Sequence, residues 1–364
     1  MKASRQAVKG QVKRLQGQQR EHLCPEPWPT GPAPNAAELP LITAGRSPLA
    51  PPPGTRSHRQ PGSQASNWVP GRLDSRGTPA IYTTLFRPDA QYPSVVAAVA
   101  WIRTRDTSAH LVAGTREPGG QGWPGAAQVP PADVPKLGAT FNSGWKMTDT
   151  RGGFYLAGRR AGHLLAGQAS LVINDSGAAT IGQWARDVTM NPHVVAVRQN
   201  LALIVDHSRP VPGLNANMGK RWGSYEYQHQ YTWRSGVGVD VAGDLIYVAG
   251  ENLTLQTLAA SLADAGVVRG MELDINSALV SFASWAPNLT GRPRPTKLQP
   301  GMERPANRYL APDQRDFFYL TLRCNLITKP PRPSPGFAGP WLPSSWPRRH
   351  RRRVQVNEST RQSL

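Results

Sequence analysis

"WRSGVGVDVAGDLIYVAGENLTLQTLAASLADAGVVRGMELDIN", residues 233–276, sets two strands, a helix and a third strand in a row. "GVGVDVAGDLIYVAG" (236–250) is a pair of short apolar runs about an "AGD" turn, the pattern of a hairpin. The period then changes. Leu255, Leu258, Ala259 and Leu262 recur at i, i+3, i+4 and i+7, with Thr254 placed to cap the start and Gly266 to stop the end. The chain re-enters an apolar run at "VVRGMELDIN" (267–276), where Glu272, Asp274 and Asn276 occupy every second position. In a strand those three side chains share one face. Strand, strand, helix and strand together predict an α+β domain, a mixed β-sheet with few packed helices.

Outward from this stretch the grammar is mostly strand. Short apolar runs punctuated by Gly, Asn and Asp occur at 94–104, 109–114, 152–158, 169–175, 178–184, 194–206 and 279–285. "VINDSGAATIG" reads as a second hairpin, and "RDFF" at 315–318 as a last strand that brings Arg315 or Asp316 to line a site. Residues 1–66 and 325–364 read differently. "PEPWPTGPAP" and "KPPRPSPGFAGPWLPSSWPRRHRRR" offer little apolar surface, and proline removes backbone donors. The expected organisation is a disordered Pro-rich basic tail over 1–66, one domain over 67–324, and a disordered Pro/Arg-rich tail over 325–364.

The charge follows that division. The net charge is +19 over 364 residues, but residues 1–66 hold 9 Lys/Arg against 3 Asp/Glu, and residues 325–364 hold 8 against 1. The tails thus carry 13 of the 19 charges, and the middle is only mildly basic. A nucleic-acid partner is therefore not expected for the domain; a tail-borne one is tied to "RRHRRR" at 348–353. Cys24 and Cys324 fall at or outside the domain edges, which argues against a disulfide framework or a zinc site. No run of 18 apolar residues occurs, so no transmembrane helix is expected, and the basic N-terminus is not followed by the apolar core of a signal peptide. No Gly-rich dinucleotide fingerprint, P-loop or Gly-x-Ser-x-Gly elbow is found.

The 233–276 stretch resembles the C-terminal half of the phosphodiester glycosidase domain family, which includes the enzyme that uncovers mannose 6-phosphate and many bacterial envelope proteins. The family's run is an Arg-Thr or Arg-Ser before a "GVD" hairpin, then a "TLxELAxLLxxLGA" helix and an "LDGG" loop. "GATFNSGWKM" (138–147) resembles its "AxNGGFF" segment, and 169–206 resembles the strands between the two. The likeness covers about residues 95–285, in order. It departs at Ile275-Asn276-Ser277, where the family has glycines after the Asp, at Glu272, where it has Asn, and at Asn142-Ser143-Gly144, which keeps one glycine of a pair. The resemblance implies a hydrolase acting on a sugar-1-phosphodiester or polysaccharide outside the cytoplasm, with Asn142, Gly144, Arg234 and Asp274 at its site.

Chemistry points the same way. Cleaving a sugar C1–O bond to phosphate passes through an oxocarbenium-like state, and a phosphate leaves well as an anion. A cation that stabilises the departing charge then matters more than a strong acid. Arg234 is the first candidate and Arg198 the second, since a guanidinium fork matches phosphate oxygens. Asp274, then Glu272, are the candidate base or nucleophile. Asn142 and Asn276 suit sugar hydroxyls, and Trp145 and Trp184 suit a sugar face. Each has a plainer role: a strand-edge arginine in a surface ion pair, an aspartate as a turn or cap, Glu272 as a salt-bridge partner, "NSG" as a turn. His193 reads as a loop residue. No cofactor or bound metal is expected, with a divalent ion near Asp274 left open. A non-catalytic glycan- or phosphate-binding module on the same fold is the alternative.

Overall fold

The computed structural model of the chain describes residues 49–52, 67–74, 76–89, 91–216, 220–223, 231–287 and 293–323. The two expected tails, Cys24 and Cys324 lie outside the described residues, except that 49–52 fall within the first tail.

The described residues form three antiparallel sheets. The largest holds β1 (Val69–Pro70), β2 (Ile81–Phe86), β3 (Ala97–Ile102), β14 (Leu245–Leu253), β13 (Thr232–Val239), β15 (Arg269–Glu272), β11 (Leu203–Asp206) and β12 (Arg209–Pro210), hydrogen-bonded in that order. The second holds β7 (Arg159–Ala161), β6 (Phe154–Leu156), β10 (Val194–Gln199), β8 (Ala169–Asn174) and β9 (Ala179–Gln183). The third holds β17 (Pro293–Lys297), β16 (Phe282–Pro287), β5 (Leu137–Asn142), β18 (Phe317–Leu322) and β4 (Thr107–Val112). Two α-helices are described, the single turn α1 (Met147–Thr150) and α2 (Leu255–Asp264).

The expected α+β class with a mixed sheet is therefore corrected to a mostly-β architecture. The reason lies in where α2 returns the chain. It links β14 to β15, and both pair antiparallel with β13, which lies between them. A helix between two strands suggests a parallel neighbour pair. Here the preceding hairpin strand fills the gap, and the sheet stays antiparallel.

Alternation along β13 explains the "GVGV" motif. Trp233, Val237 and Val239 join the core shared by all three sheets, with Leu171 and Ile173 from the second and Phe141 and Phe318 from the third. Gly236 and Gly238 face the other way, beneath α2. A Cβ on Gly236 would stand 2.9 Å from Leu262 Cδ1, and one on Gly238 2.2 Å from Val267 Cγ1. Leu258 and Leu262 of α2 then pack with Trp101 and Val248 on this outer face. Thr254 Oγ1 accepts from the Thr257 N–H at 3.1 Å, and Gly266 ends the helix at φ +96°. The expected run at 194–206 is broken in two. Leu201 takes φ 57°, and the chain leaves β10 in the second sheet for β11 in the first.

Candidate active site

A cavity of about 430 Å³ opens where the ends of several elements meet. The turn after β15 contributes Asp274 and Asn276, the loop after β5 contributes Trp145 and Lys146, the start of β13 contributes Thr232, and Arg315 precedes β18. Asp274 and Arg315 form its charged centre. Arg315 Nη2 donates to Asp274 Oδ2 at 3.0 Å, and the two side chains remain 12% and 8% exposed. The other oxygen, Asp274 Oδ1, accepts from the Asn276 N–H at 2.9 Å. Burial pushes the Asp274 carboxyl above the usual carboxylate range, against the downward pull of Arg315 and of the two backbone N–H groups of Ile275 and Asn276.

The loop that carries Trp145 is pinned from below. Arg198 is buried and donates through Nη2 to Trp145 O at 2.5 Å, while its Nε donates to Asp316 Oδ2 at 2.6 Å. Asp316 and Arg315 are neighbours that point apart, one inward to Arg198 and one to the cavity. Asn200 accepts the Trp145 N–H at 3.2 Å and donates to Glu272 O at 2.6 Å. Gly144 lies against it, where a Cβ would come within 2.6 Å of Asn200 Cγ. Arg315 Nη2 also donates to Gly144 O at 2.7 Å, so one guanidinium ties the loop to the carboxylate.

The sequence candidates divide accordingly. Asp274, Asn276 and Trp145 line the cavity; Glu272, Arg234, Arg198 and Asn142 do not. The strand expected through "MELDIN" stops at Glu272, and Asp274 and Asn276 stand in the turn beyond it. Arg234 shares the β13 face of Gly236 and Gly238, so it enters the sheet–helix layer instead of the cavity. There Arg234 Nη1 meets Glu272 Oε1 at 2.6 Å with both side chains fully buried, and Arg234 Nε donates to Leu253 O at 2.9 Å. Burial pushes Glu272 up to about 7 despite Arg234 beside it. Asn142 is a buried junction: its Oδ1 accepts from Tyr247 OH and the Ser281 N–H, and its Nδ2 donates to Ser143 O and Ser235 Oγ. Trp184 packs with Val172 and Val197 on the outer face of the second sheet, and His193 pairs with exposed Asp175 at 2.8 Å.

Lys146 is the cavity cation that sequence reasoning passed over. Its signal was adjacency to Trp145 in the "NSGWKM" segment already singled out. For Arg315 the sequence indicates a lining position and no chemical role. Its pairing with Asp274 spans 41 residues of sequence, and no local pattern reports it. Among the described residues no group of His, Cys, Asp or Glu is arranged to hold a metal ion, and no helix is long and apolar enough to cross a membrane.

No family model matches the chain, and no curated protein does. Among solved structures it is similar to the catalytic domain of zebrafish N-acetylglucosamine-1-phosphodiester alpha-N-acetylglucosaminidase, auto-inhibited by its pro-peptide. That match has 15% identity, covers 72% of this chain and 89% of the other, and has a TM-score of 0.45. It is also similar to a hypothetical protein from Synechocystis, at 13% identity over 72% of this chain and 64% of the other, with a TM-score of 0.39. Likeness at this level carries no argument about activity, which rests on the residues of the cavity.

Proposed function

We propose that the chain is a hydrolase that cleaves the glycosidic bond of a sugar-1-phosphodiester, in an envelope or extracellular glycan. The observation that carries this reading is the Asp274–Arg315 pair at the cavity, a carboxylate and a guanidinium 3.0 Å apart, with Lys146 lining the same cavity. The sugar would lie in the cavity with its phosphate toward Arg315 and Lys146. The C1–O bond breaks, and its electron pair leaves on the phosphate oxygen, where the two cations stabilise the developing charge. Asp274 acts as base toward the incoming water or as nucleophile toward C1; the water oxygen ends on C1 and its proton passes to solvent. The anomeric configuration of the first-formed sugar, read by NMR, separates the two. In this scheme Arg234 and Glu272 are positioning residues that hold the end of β15, and Arg198 positions Trp145.

The test is sugar release from synthetic glycosyl phosphodiesters. Asp274→Asn retains the acceptor for the Asn276 N–H but loses the charge, and it should lower turnover by about 10²–10⁴-fold while folding as the parent does. Turnover unchanged in that variant would sink the proposal. A second reading, a non-catalytic glycan- or phosphate-binding module, has its own support: both Asp274 oxygens are already engaged, by Arg315 and by the Asn276 N–H. Calorimetry that finds binding of a glycosyl phosphodiester without release of sugar would favour it.

A further inference from the structure

A second cavity, of about 920 Å³, adjoins the first and shares Trp145 and Asp149 with it. Helix α1 is the partition. Lys146 at its N-terminal side lines the smaller cavity, and Arg151 at its C-terminal side lines the larger. Lys220 and Arg221 complete a basic wall, with Asp149 as its acidic member. None of these three cations forms an ion pair among the described residues, and all three are exposed. Their presentation is built into the backbone. Arg151 and Lys220 both take φ 55°, in the left-handed region that non-glycine residues rarely enter. Arg221 stacks its guanidinium 5.1 Å over the ring of Trp222, and Trp222 is itself buried and donates to Leu203 O at 3.1 Å.

We infer that this larger cavity is an anion subsite for the aglycone, and that the aglycone carries at least one further phosphate beyond the one whose ester is cleaved. The inference rests on the proposed function for the word aglycone, and on the cavity itself for the anion. Two guanidinium forks and an ammonium around one cavity match the oxygens of a phosphate chain. The two cavities adjoin at Trp145 and Asp149, so a substrate whose sugar sits at Asp274 and whose aglycone passes α1 reaches this wall. Terminal sugars on a phosphate-linked polymer have that form.

The probe is inorganic tripolyphosphate, titrated calorimetrically into the full chain, so the readout does not depend on catalysis. Binding should weaken by about tenfold or more in R151A/K220A/R221A, the scale of a few solvent-screened charge-assisted contacts, and should weaken in the parent as salt is raised. Thermal melting confirms that the triple variant folds, and R221K, which keeps the charge but loses the fork stacked on Trp222, should bind between the parent and the triple variant. Three results would overturn the inference: no binding by the parent at millimolar probe, equal binding by the triple variant, or loss of binding in K146A/R315A alone, which would assign the anion to the smaller cavity. Citrate bound as tightly as tripolyphosphate would overturn the choice of phosphate. Absence of sugar release would remove the glycosidase reading and leave this titration standing.

Discussion

Asp274 and Glu272 stand two residues apart, and their surroundings assign them different work. Asp274 meets solvent at a cavity and pairs there with the Arg315 guanidinium, whereas Glu272 is sealed beneath α2 with Arg234. Arg315 lowers an Asp274 carboxyl that burial raises. Arg315→Ala therefore shifts the acid limb of the pH–rate profile to higher pH, besides slowing phosphate departure. A limb that stays in place would mean that Asp274 is not the titrating group. Glu272 gives a stability signature instead. Its carboxyl is raised from 4.5 to about 7, so between those values the folded chain keeps a proton that the unfolded chain has released. Stability should then fall as pH rises through that window and level off above it, by up to about 3 kcal/mol for the full shift. Denaturant titrations at pH 5 and pH 8 measure the fall, and Glu272→Gln should flatten it. The sequence displayed both carboxylates at alternate positions. It did not display where β15 ends, and the end of the strand is what turns Asp274 into the cavity and leaves Glu272 behind.

At the scale of the element, local chemistry was legible and orientation was not. The period of Leu255, Leu258 and Leu262, the Thr254 cap and the Gly266 stop all appear where the residues put them, because a helix is specified by neighbours three and four apart. The hairpins β8–β9 and β13–β14 were legible for the same reason. The face taken by Arg234 was not, since parity along β13 has meaning only once α2 is known to cover Gly236 and Gly238. Two substitutions weigh these terms. Thr254→Ala removes the acceptor for the Thr257 N–H and should cost about 1 kcal/mol. Gly238→Ala should cost more, about 1–3 kcal/mol, because its Cβ would stand 2.2 Å from Val267 Cγ1 and 2.8 Å from Arg269 O, and the second of these is backbone. Chemical denaturation of both variants orders them. A Gly238→Ala chain as stable as Thr254→Ala would mean that the segment after α2, at Val267, is not held closely on the sheet.

The whole molecule depends on pairings that sequence does not announce. β18 lies between β5 and β4, with Tyr319 opposite both Thr140 and His110, and this long-range pairing places Arg315 beside the Asp274 turn. The same applies at the other end of the chain. Leu49 and Ala50 fall in the stretch expected to be a disordered Pro-rich tail, and the Leu49 side chain is buried among the residues that pack on α2. The Leu49 N–H donates to Asp264 O at 2.6 Å, the last turn of the helix, and Trp68 Nε1 donates to Ala50 O at 2.8 Å while its ring meets Trp101 edge-on at 5.9 Å. The surrounding prolines concealed this, because composition averages over a window and a single anchoring leucine does not change the average. Burial of one leucine contributes about 1.5–3 kcal/mol, and a chain of this size loses roughly 2–4 °C of melting temperature per kcal/mol. A chain shortened to residues 67–324 should therefore melt about 5 °C below one shortened to 45–324, and Leu49→Ala in the longer chain should reproduce most of that loss. Equal melting temperatures for the two shortened chains would show that the 49–52 segment adds nothing to the fold and that the helix end at Asp264 is satisfied without it.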